Sequence, residues 1–388
     1  MIYCFVGHYI KLNKTLRIIF LDTKPIRRGA QIFSHELSSF LKNQGVQTKR
    51  IYLYNNESSV SLSLNNEDEI LSGDDKHPFE KYLTIHPILL YKLMTSIKKF
   101  NPDIILLNGS KTLKYGALSK KLLSGNFKLV YRVIDSPVFW NTALLTKFYY
   151  KRIIVPLIDA AVGVSHASLK DMKELYSFSK PSTVIHRAVN FSAFANIDTK
   201  EKCRNEIGLS LEKKVLIFIG NLTSQKRPDR LIEIVKGIHS NYQNIHTLVL
   251  GDGPLREEVE LIVKKEGLQS VFSFLGYHEN VGSYIAASDI LLLTSDTEGL
   301  PGVVPEAGFF EVPAVASNVG GVSECIKDGL SGFVIEKDQI DNFIKKTIYL
   351  LENDDIRNAF GISARELALK DFDISNISKQ YSDFFTSL

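Results

Sequence analysis

Cysteine is scarce in this sequence: three residues in 388, at Cys4, Cys203 and Cys325. They are odd in number, widely separated and form no C-x-x-C pair. A disulfide framework is thereby excluded, and a reducing compartment is expected. Long apolar runs are missing too; none reaches the roughly 18 residues a transmembrane helix needs. Residues 1–10 are apolar but lack a basic n-region and a small-residue cleavage site. A short extra strand or an early start codon is expected there in place of a signal peptide. No short repeat and no acidic metal motif stand out, the pair Asp74-Asp75 falling in an irregular stretch.

What the chain does contain is ordinary globular composition, 44% hydrophobic and 23% charged, which excludes global disorder. Its length predicts two domains. The net charge of +4 conceals an asymmetry. Residues 1–200 hold 28 Lys and Arg against 15 Asp and Glu, whereas residues 201–388 hold 19 against 28. A basic half beside an acidic half implies that the two serve different partners.

Strand and helix patterns alternate along the chain, which predicts parallel α/β architecture. Strands are expected at residues 16–21, 46–54, 103–107, 129–134, 160–165 and 182–186, with helices at 32–42, 113–123 and 168–175. Residues 55–84 are polar, acidic and aperiodic, as in an insertion or loop. In the second half, strands are expected at 215–220, 246–250, 271–275, 290–294, 314–317 and 332–335. Helices at 229–239, 255–266, 281–287, 304–310 and 340–352 alternate with them, and residues 322–326 read as a helical turn. Four of these strands end in glycine and hand over to a helix, the geometry of a doubly wound sheet with ligands at the strands' carboxyl ends. The polar stretch 190–214 is the expected boundary.

Three constellations bear on chemistry. In residues 297–307, Glu298 follows a strand and Glu306 lies eight residues on, in a first helical turn. Gly299 and Gly302 let backbone N–H groups approach a ligand, and a helix N-terminus adds positive potential. An anionic diphosphate fits there if the two acids point elsewhere, toward hydroxyls of a sugar and a ribose. The plainer alternative makes Glu298 a solvated loop acid and Glu306 a complement to its helix dipole. The second constellation, residues 220–228, runs from Gly220 and Asn221 through Lys226 and Arg227 to Pro228. Cations over a helix start would clamp a diphosphate leaving group, and a basic surface turn is the alternative. The third, Gly251-Asp252-Gly253-Pro254, lacks the third glycine of a dinucleotide fingerprint, which disfavours a nicotinamide enzyme.

With these residues in place, the second half resembles the donor-binding domain of retaining glycosyltransferases of family four (glycosyl transferases group 1). The Glu-x7-Glu signature matches at Glu298 and Glu306. The Gly-Arg-Leu-x-x-x-Lys loop matches at Gly220, Leu222 and Lys226, with Asn221 in place of arginine. The turns 251–254 and 320–324 match in order. In the first half, Gly29-Ala30-Gln31 is similar to the family's Gly-rich loop and Val164-Ser165 to its Val-Ser strand end. The resemblance implies the GT-B fold, two Rossmann-like doubly wound parallel-sheet domains facing each other across a cleft. Residues 1–195 plus 372–388 would form the acceptor-side domain with a C-terminal crossover helix, and residues 210–371 the sugar-nucleotide domain.

The implied activity is metal-independent, retaining, hexosyl-type transfer from a UDP- or GDP-sugar to a glycan or lipid-linked glycan. Such transfer would serve surface polysaccharide or glycoconjugate synthesis, with no cofactor beyond the nucleotide sugar and no nucleic acid partner. Catalytic roles fall on Lys226, Glu298 and Asp135. Donor binding falls on Gly29, Gly220, Asn221, Lys226, Arg227, Gly251, Gly253, Glu298, Gly299, Leu300, Pro301, Gly302 and Glu306. Departures from the family pattern are Ile134 for its histidine, His186-Arg187-Ala188-Val189-Asn190 for Pro-Asn-Gly-Val-Asp, and Glu311 for glycine. A departing phosphate that takes the acceptor proton leaves catalysis compatible with the missing histidine, since a side-chain base supplies about 10²–10⁴-fold. A cytoplasmic location is expected, at the inner face of the plasma membrane if basic, aromatic stretches meet anionic lipid. Those stretches are residues 139–152 and 85–100. A sugar-nucleotide epimerase of the same fold and a catalytically silent sugar-nucleotide-binding partner are the alternative readings.

Overall fold

The computed structural model describes residues 15–55, 61–73 and 85–388. The apolar opening, Cys4 and Asp74-Asp75 lie outside the described residues. Among those described, one compact unit ends at Tyr131 and includes Pro156–Ala160 and Leu388. The other comprises Arg132–Val155 and Ala161–Ser387.

Seven strands form the first sheet: β1 (Arg17–Asp22), β2 (Gln47–Tyr52), β3 (Glu69–Ile70), β4 (Ile104–Asn108), β5 (Lys128–Val133), β6 (Ala160–Gly163) and β7 (Ser182–Val184). Their order is β3-β2-β1-β4-β5-β6-β7, and β1 pairs in parallel with both β2 and β4. The strands are short continuous apolar runs because both faces are covered, as in parallel sheets generally. Ile18, Ile19, Phe20 and Leu21 are wholly buried. The helix Ser110–Leu123 lies so close to β4 that a Cβ on Gly116 would stand 2.3 Å from Leu107 Cδ2.

The second sheet contains β8 (Lys214–Ile219), β9 (Ile245–Leu250), β10 (Phe272–Gly276), β11 (Ile290–Leu293), β12 (Ala314–Ser317) and β13 (Gly332–Ile335). Its order, β10-β9-β8-β11-β12-β13, is again parallel and doubly wound. The winding reverses between β8 and β11, where open α/β sheets bind ligands beyond the strands' carboxyl ends. Helices Pro228–Asn241 and Ile340–Glu352 bury Ile234, Val235, Phe343 and Leu350 against Leu216 and Phe218.

The strands expected within the described residues are all present, with ends shifted by a few residues. Elements that were not anticipated include an edge strand and a long helix. The polar stretch 55–84 carries the edge strand β3, secured where Arg50 bonds Asp68 at 2.7 Å and 2.8 Å. Between the last expected helix and the terminal one lies an 18-residue helix, Asp354–Asp371. Its pattern is weak because Arg357 and Gly361 are among its few buried residues. The terminal helix, Ile374–Thr386, is capped by Asp373, whose carboxylate accepts from Ser375 N–H at 2.8 Å. No helix among the described residues is long and apolar enough to cross a membrane.

Candidate active site

The loop after β8 and the loop after β11 are zipped together at the switch point. Asp296 N–H donates to Gln225 O at 2.8 Å, and Thr294 Oγ1 donates to Lys226 O at 3.0 Å. Gln225 Nε2 reaches Thr297 O at 3.0 Å. These bonds place Lys226 Nζ 2.5 Å from Glu298 Oε1, which also accepts from Ser295 Oγ at 2.6 Å. The lysine stem runs over Gly220, where a Cβ would stand 3.5 Å from Lys226 Cε. The Glu298 side chain is only 9% exposed, so this ion pair is shielded on one side and open through the lysine.

Arg227 is directed elsewhere. It adopts a left-handed backbone (φ 50°) ahead of Pro228. Its guanidinium bonds Asp229 at 2.7 Å and meets Asp296 at 3.3 Å. The bond to Asp229 raises its pKa further, and Asp229 is held below the usual carboxylate range by the same arginine. Asn221 is exposed on the same loop.

Gly251 and Gly253 support this loop from behind. Gly251 (φ 129°) backs onto Gly220, whose carbonyl oxygen would lie 2.1 Å from an added Cβ. A Cβ on Gly253 would lie 2.5 Å from Leu222 O. Leu222 N–H bonds Asp252 O, and Leu255 N–H bonds Leu222 O, both at 3.0 Å. The Gly-x-Gly-Pro turn is therefore a buttress that sets the height of the cation loop.

The segment after Glu298 is held by close backbone packing. At Gly299 a Cβ would stand 1.9 Å from Ile134 O and 3.0 Å from Asp135 Oδ1. Gly320 (φ 54°) would place a Cβ 1.6 Å from Glu298 O, and Gly321 N–H donates to Gly299 O at 3.0 Å. Leu300 is buried in a cluster with Val164, Val304 and Val322, leaving only its backbone for a ligand. Pro301 and Gly302 are buried too. Asp135 is open to solvent yet recessed among surrounding chain. That partial desolvation, with the charge of Glu298, raises its pKa against the pull of Lys226 and Arg132.

Glu306 stands in the first turn of the short helix Val303–Phe309. Burial pushes its carboxyl up, and Arg187 opposes the shift. Arg187 Nη2 lies 3.5 Å from Glu306 Oε1, and the guanidinium rests on Gly302, where a Cβ would be 2.0 Å from Nη1. The motif departures mark this segment but assign Arg187 no role. Next to it, Glu324 of the Gly-Gly-x-x-Glu turn accepts from His166 N–H at 2.8 Å and from His186 Nε2 at 3.2 Å. Desolvation works against its charge, yet those two bonds hold it below the usual carboxylate range.

Gly29 belongs to the other unit, where it opens the helix Gly29–Asn43 just past β1. Asn108 Nδ2 secures the turn by bonding Ala30 O at 3.0 Å. Glu311 has the left-handed backbone (φ 59°) of a helix C-terminal cap, the conformation that favours glycine. Its N–H bonds Gly308 O at 2.9 Å, and Arg365 pairs with its carboxylate at 2.8 Å.

Residues 199–367 match the family model described as glycosyl transferases group 1. The chain is 27% identical over 227 residues to N-acetyl-alpha-D-glucosaminyl L-malate synthase of Bacillus anthracis, covering 58% of this chain and 59% of that protein. It is 26% identical over 310 residues to the UDP-Gal:alpha-D-GlcNAc-diphosphoundecaprenol alpha-1,3-galactosyltransferase of Escherichia coli, 78% of this chain and 79% of that one. The crystal structure of Anabaena HepE in complex with UDP and glucose superimposes with a TM-score of 0.81 at 18% identity, covering 96% of this chain and all of that one. The fold is therefore GT-B, and the family match with these relatives supports a GT-B glycosyltransferase.

Proposed function

We propose that this protein transfers a hexosyl unit from a UDP- or GDP-sugar to a glycan or lipid-linked glycan acceptor, with retention of anomeric configuration. The observation that carries the reading is the Lys226–Glu298 pair at the switch point of the second sheet, within the segment that matches glycosyl transferases group 1. The Escherichia coli relative, named for a diphosphoundecaprenol-linked acceptor, supports a lipid-linked substrate in polysaccharide synthesis. Residues 1–195 with 372–388 would serve the acceptor, and residues 210–371 the donor.

In this reading the anomeric carbon–oxygen bond to the diphosphate breaks as the acceptor hydroxyl oxygen attacks from the same face. The departing phosphate oxygen takes the hydroxyl proton, so the products are the glycoside and a nucleoside diphosphate. Lys226 neutralises charge growing on that leaving group, as do the backbone N–H groups of residues 299–302. Glu298 positions the lysine ammonium and accepts from sugar hydroxyls. Glu306 accepts from the ribose diol, and Asp135 faces the sugar or the acceptor. This chemistry draws its positive charge from side chains and needs no metal.

A membrane contact completes the proposal. Between Asp135 and Asp159 there is no acidic residue, while Lys147, Lys151 and Arg152 are present. In that stretch Leu144 and Leu145 are 83% and 85% exposed, and Phe139 and Phe148 are both 62% exposed. An exposed apolar stretch whose own charged side chains are all basic fits an anionic leaflet, so we place the enzyme at the inner face of the plasma membrane. The helix Pro87–Phe100 fits less well, since Leu89, Leu93 and Ile97 are buried in its own unit.

The test is incubation with UDP- and GDP-sugars and a polyprenyl-diphosphate glycan, in EDTA, with the product's anomeric configuration read by NMR. A retained configuration formed without metal is expected. Inversion, strict dependence on magnesium or manganese, or a donor epimerised without acceptor would overturn the proposal.

A further inference from the structure

The donor-site cations read from the sequence are Lys226 and Arg227, and the structure commits both. Lys226 is bonded to Glu298, and Arg227 to Asp229 and Asp296. Arg187 is different. Its side chain is only 17% exposed, and its single ion pair among the described residues, to Glu306, spans 3.5 Å. That is longer than the 2.7–2.9 Å of a charge-assisted hydrogen bond. Its buried Nε has no hydrogen-bond partner among the described residues. A guanidinium carries five N–H donors in a rigid fork matched to phosphate oxygens, and leaving buried donors unused is unfavourable. The guanidinium also sits against Gly302, at the end of the glycine-bearing loop 299–302.

We propose that Arg187 is a donor-binding residue that grips the diphosphate of the nucleotide sugar, pairing with Glu306 until a ligand phosphate takes its place. The proposal deepens the donor-site reading above and rests on it. A diphosphate carries more charge than one lysine balances, and Arg187 supplies a second cation from the segment 182–190, outside the loop after β8. The second role of Glu306 gives the exchange a direction. When Glu306 turns to the ribose diol, the guanidinium loses its partner and the phosphate replaces it. Nothing else in the short segment His186–Asn190 could do so, since His186 is bonded to Glu324 and Asn190 accepts from Ser192 Oγ at 2.6 Å.

The experiment is calorimetric titration of wild type, Arg187→Gln and Arg187→Lys with UDP, GDP, uridine and guanosine. The wild type is expected to bind one of the diphosphates. Arg187→Gln should weaken that binding tenfold or more while affinity for the matching nucleoside stays within twofold. Arg187→Lys, which keeps charge without the fork, should fall between them and retains a folded comparison should the glutamine variant unfold. Equal loss for nucleoside and diphosphate would overturn the proposal, because Arg187 would then act only by holding Glu306. No loss at all would overturn it as well. A wild type that binds neither diphosphate would instead defeat the donor-site reading, and this inference with it.

Discussion

At the scale of single residues, the site is an arrangement of charges already paired with one another. Lys226 holds the central place, with Glu298 at 2.5 Å and the Asp135 carboxyl sensing both. Lys226→Met should therefore lower kcat by about 10²–10³-fold, the usual effect of removing one preorganised donor to developing charge. Steady-state kinetics at saturating donor checks this, and kcat within threefold of wild type would remove Lys226 from its role. Glu298 and Lys226 were legible in the sequence because each belongs to a compact motif. Their bond to each other was not, since 72 residues separate them and only the sheet brings them together. Arg187 was illegible for the same reason, its two contacts lying more than a hundred positions away. At position 134, Gly299 packs against the backbone carbonyl of Ile134, so the side chain there is not what fixes the loop.

At the scale of elements, the loops depend on how strand ends and short helices are pinned. Asp289, just before β11, accepts from Val215 N–H at 2.6 Å and pairs with Arg204 at 2.7 Å and Lys200 at 2.5 Å. It thereby ties the helix Lys200–Glu206 to the central strands. Burial alone would raise its pKa, but Lys200, Val215 N–H and Arg204 hold it below its ordinary value. A carboxyl whose folded pKa is depressed stabilises above its unfolded pKa of about 3.9, and that contribution is lost as pH falls through the folded value. Asp289→Asn should cost about 3–5 kcal/mol at pH 7 by leaving Arg204 buried without its countercharge. The gap from wild type should narrow below about pH 4. Denaturant unfolding across that range tests both, and a pH-independent gap would contradict the linkage. The strands were legible as apolar runs ending in glycine. The helix Asp354–Asp371 was not, because it meets the helix Val303–Phe309 partly through small residues: a Cβ on Gly308 would stand 2.8 Å from Ala364 O. Such close packing leaves little hydrophobic periodicity to read.

At the scale of the whole molecule, the asymmetry of charge was legible from counts alone, with 28 cations against 15 acids in residues 1–200. Which part of that half exposes apolar side chains was not legible, because only the fold decides exposure. Residues 139–152 and 85–100 look alike as sequence, yet Leu144 and Leu145 face solvent while Leu89 and Leu93 are buried. Replacing Leu144 and Leu145 together with Ser should release the protein from phosphatidylglycerol vesicles in a flotation assay while leaving its thermal unfolding unchanged. Recovery of the variant with the vesicles at wild-type levels would refute the contact. If those leucines anchor the protein, its encounters with a lipid acceptor take place in two dimensions. Turnover should then follow the acceptor's mole fraction in the bilayer, and adding inert lipid at constant bulk acceptor should slow it by surface dilution.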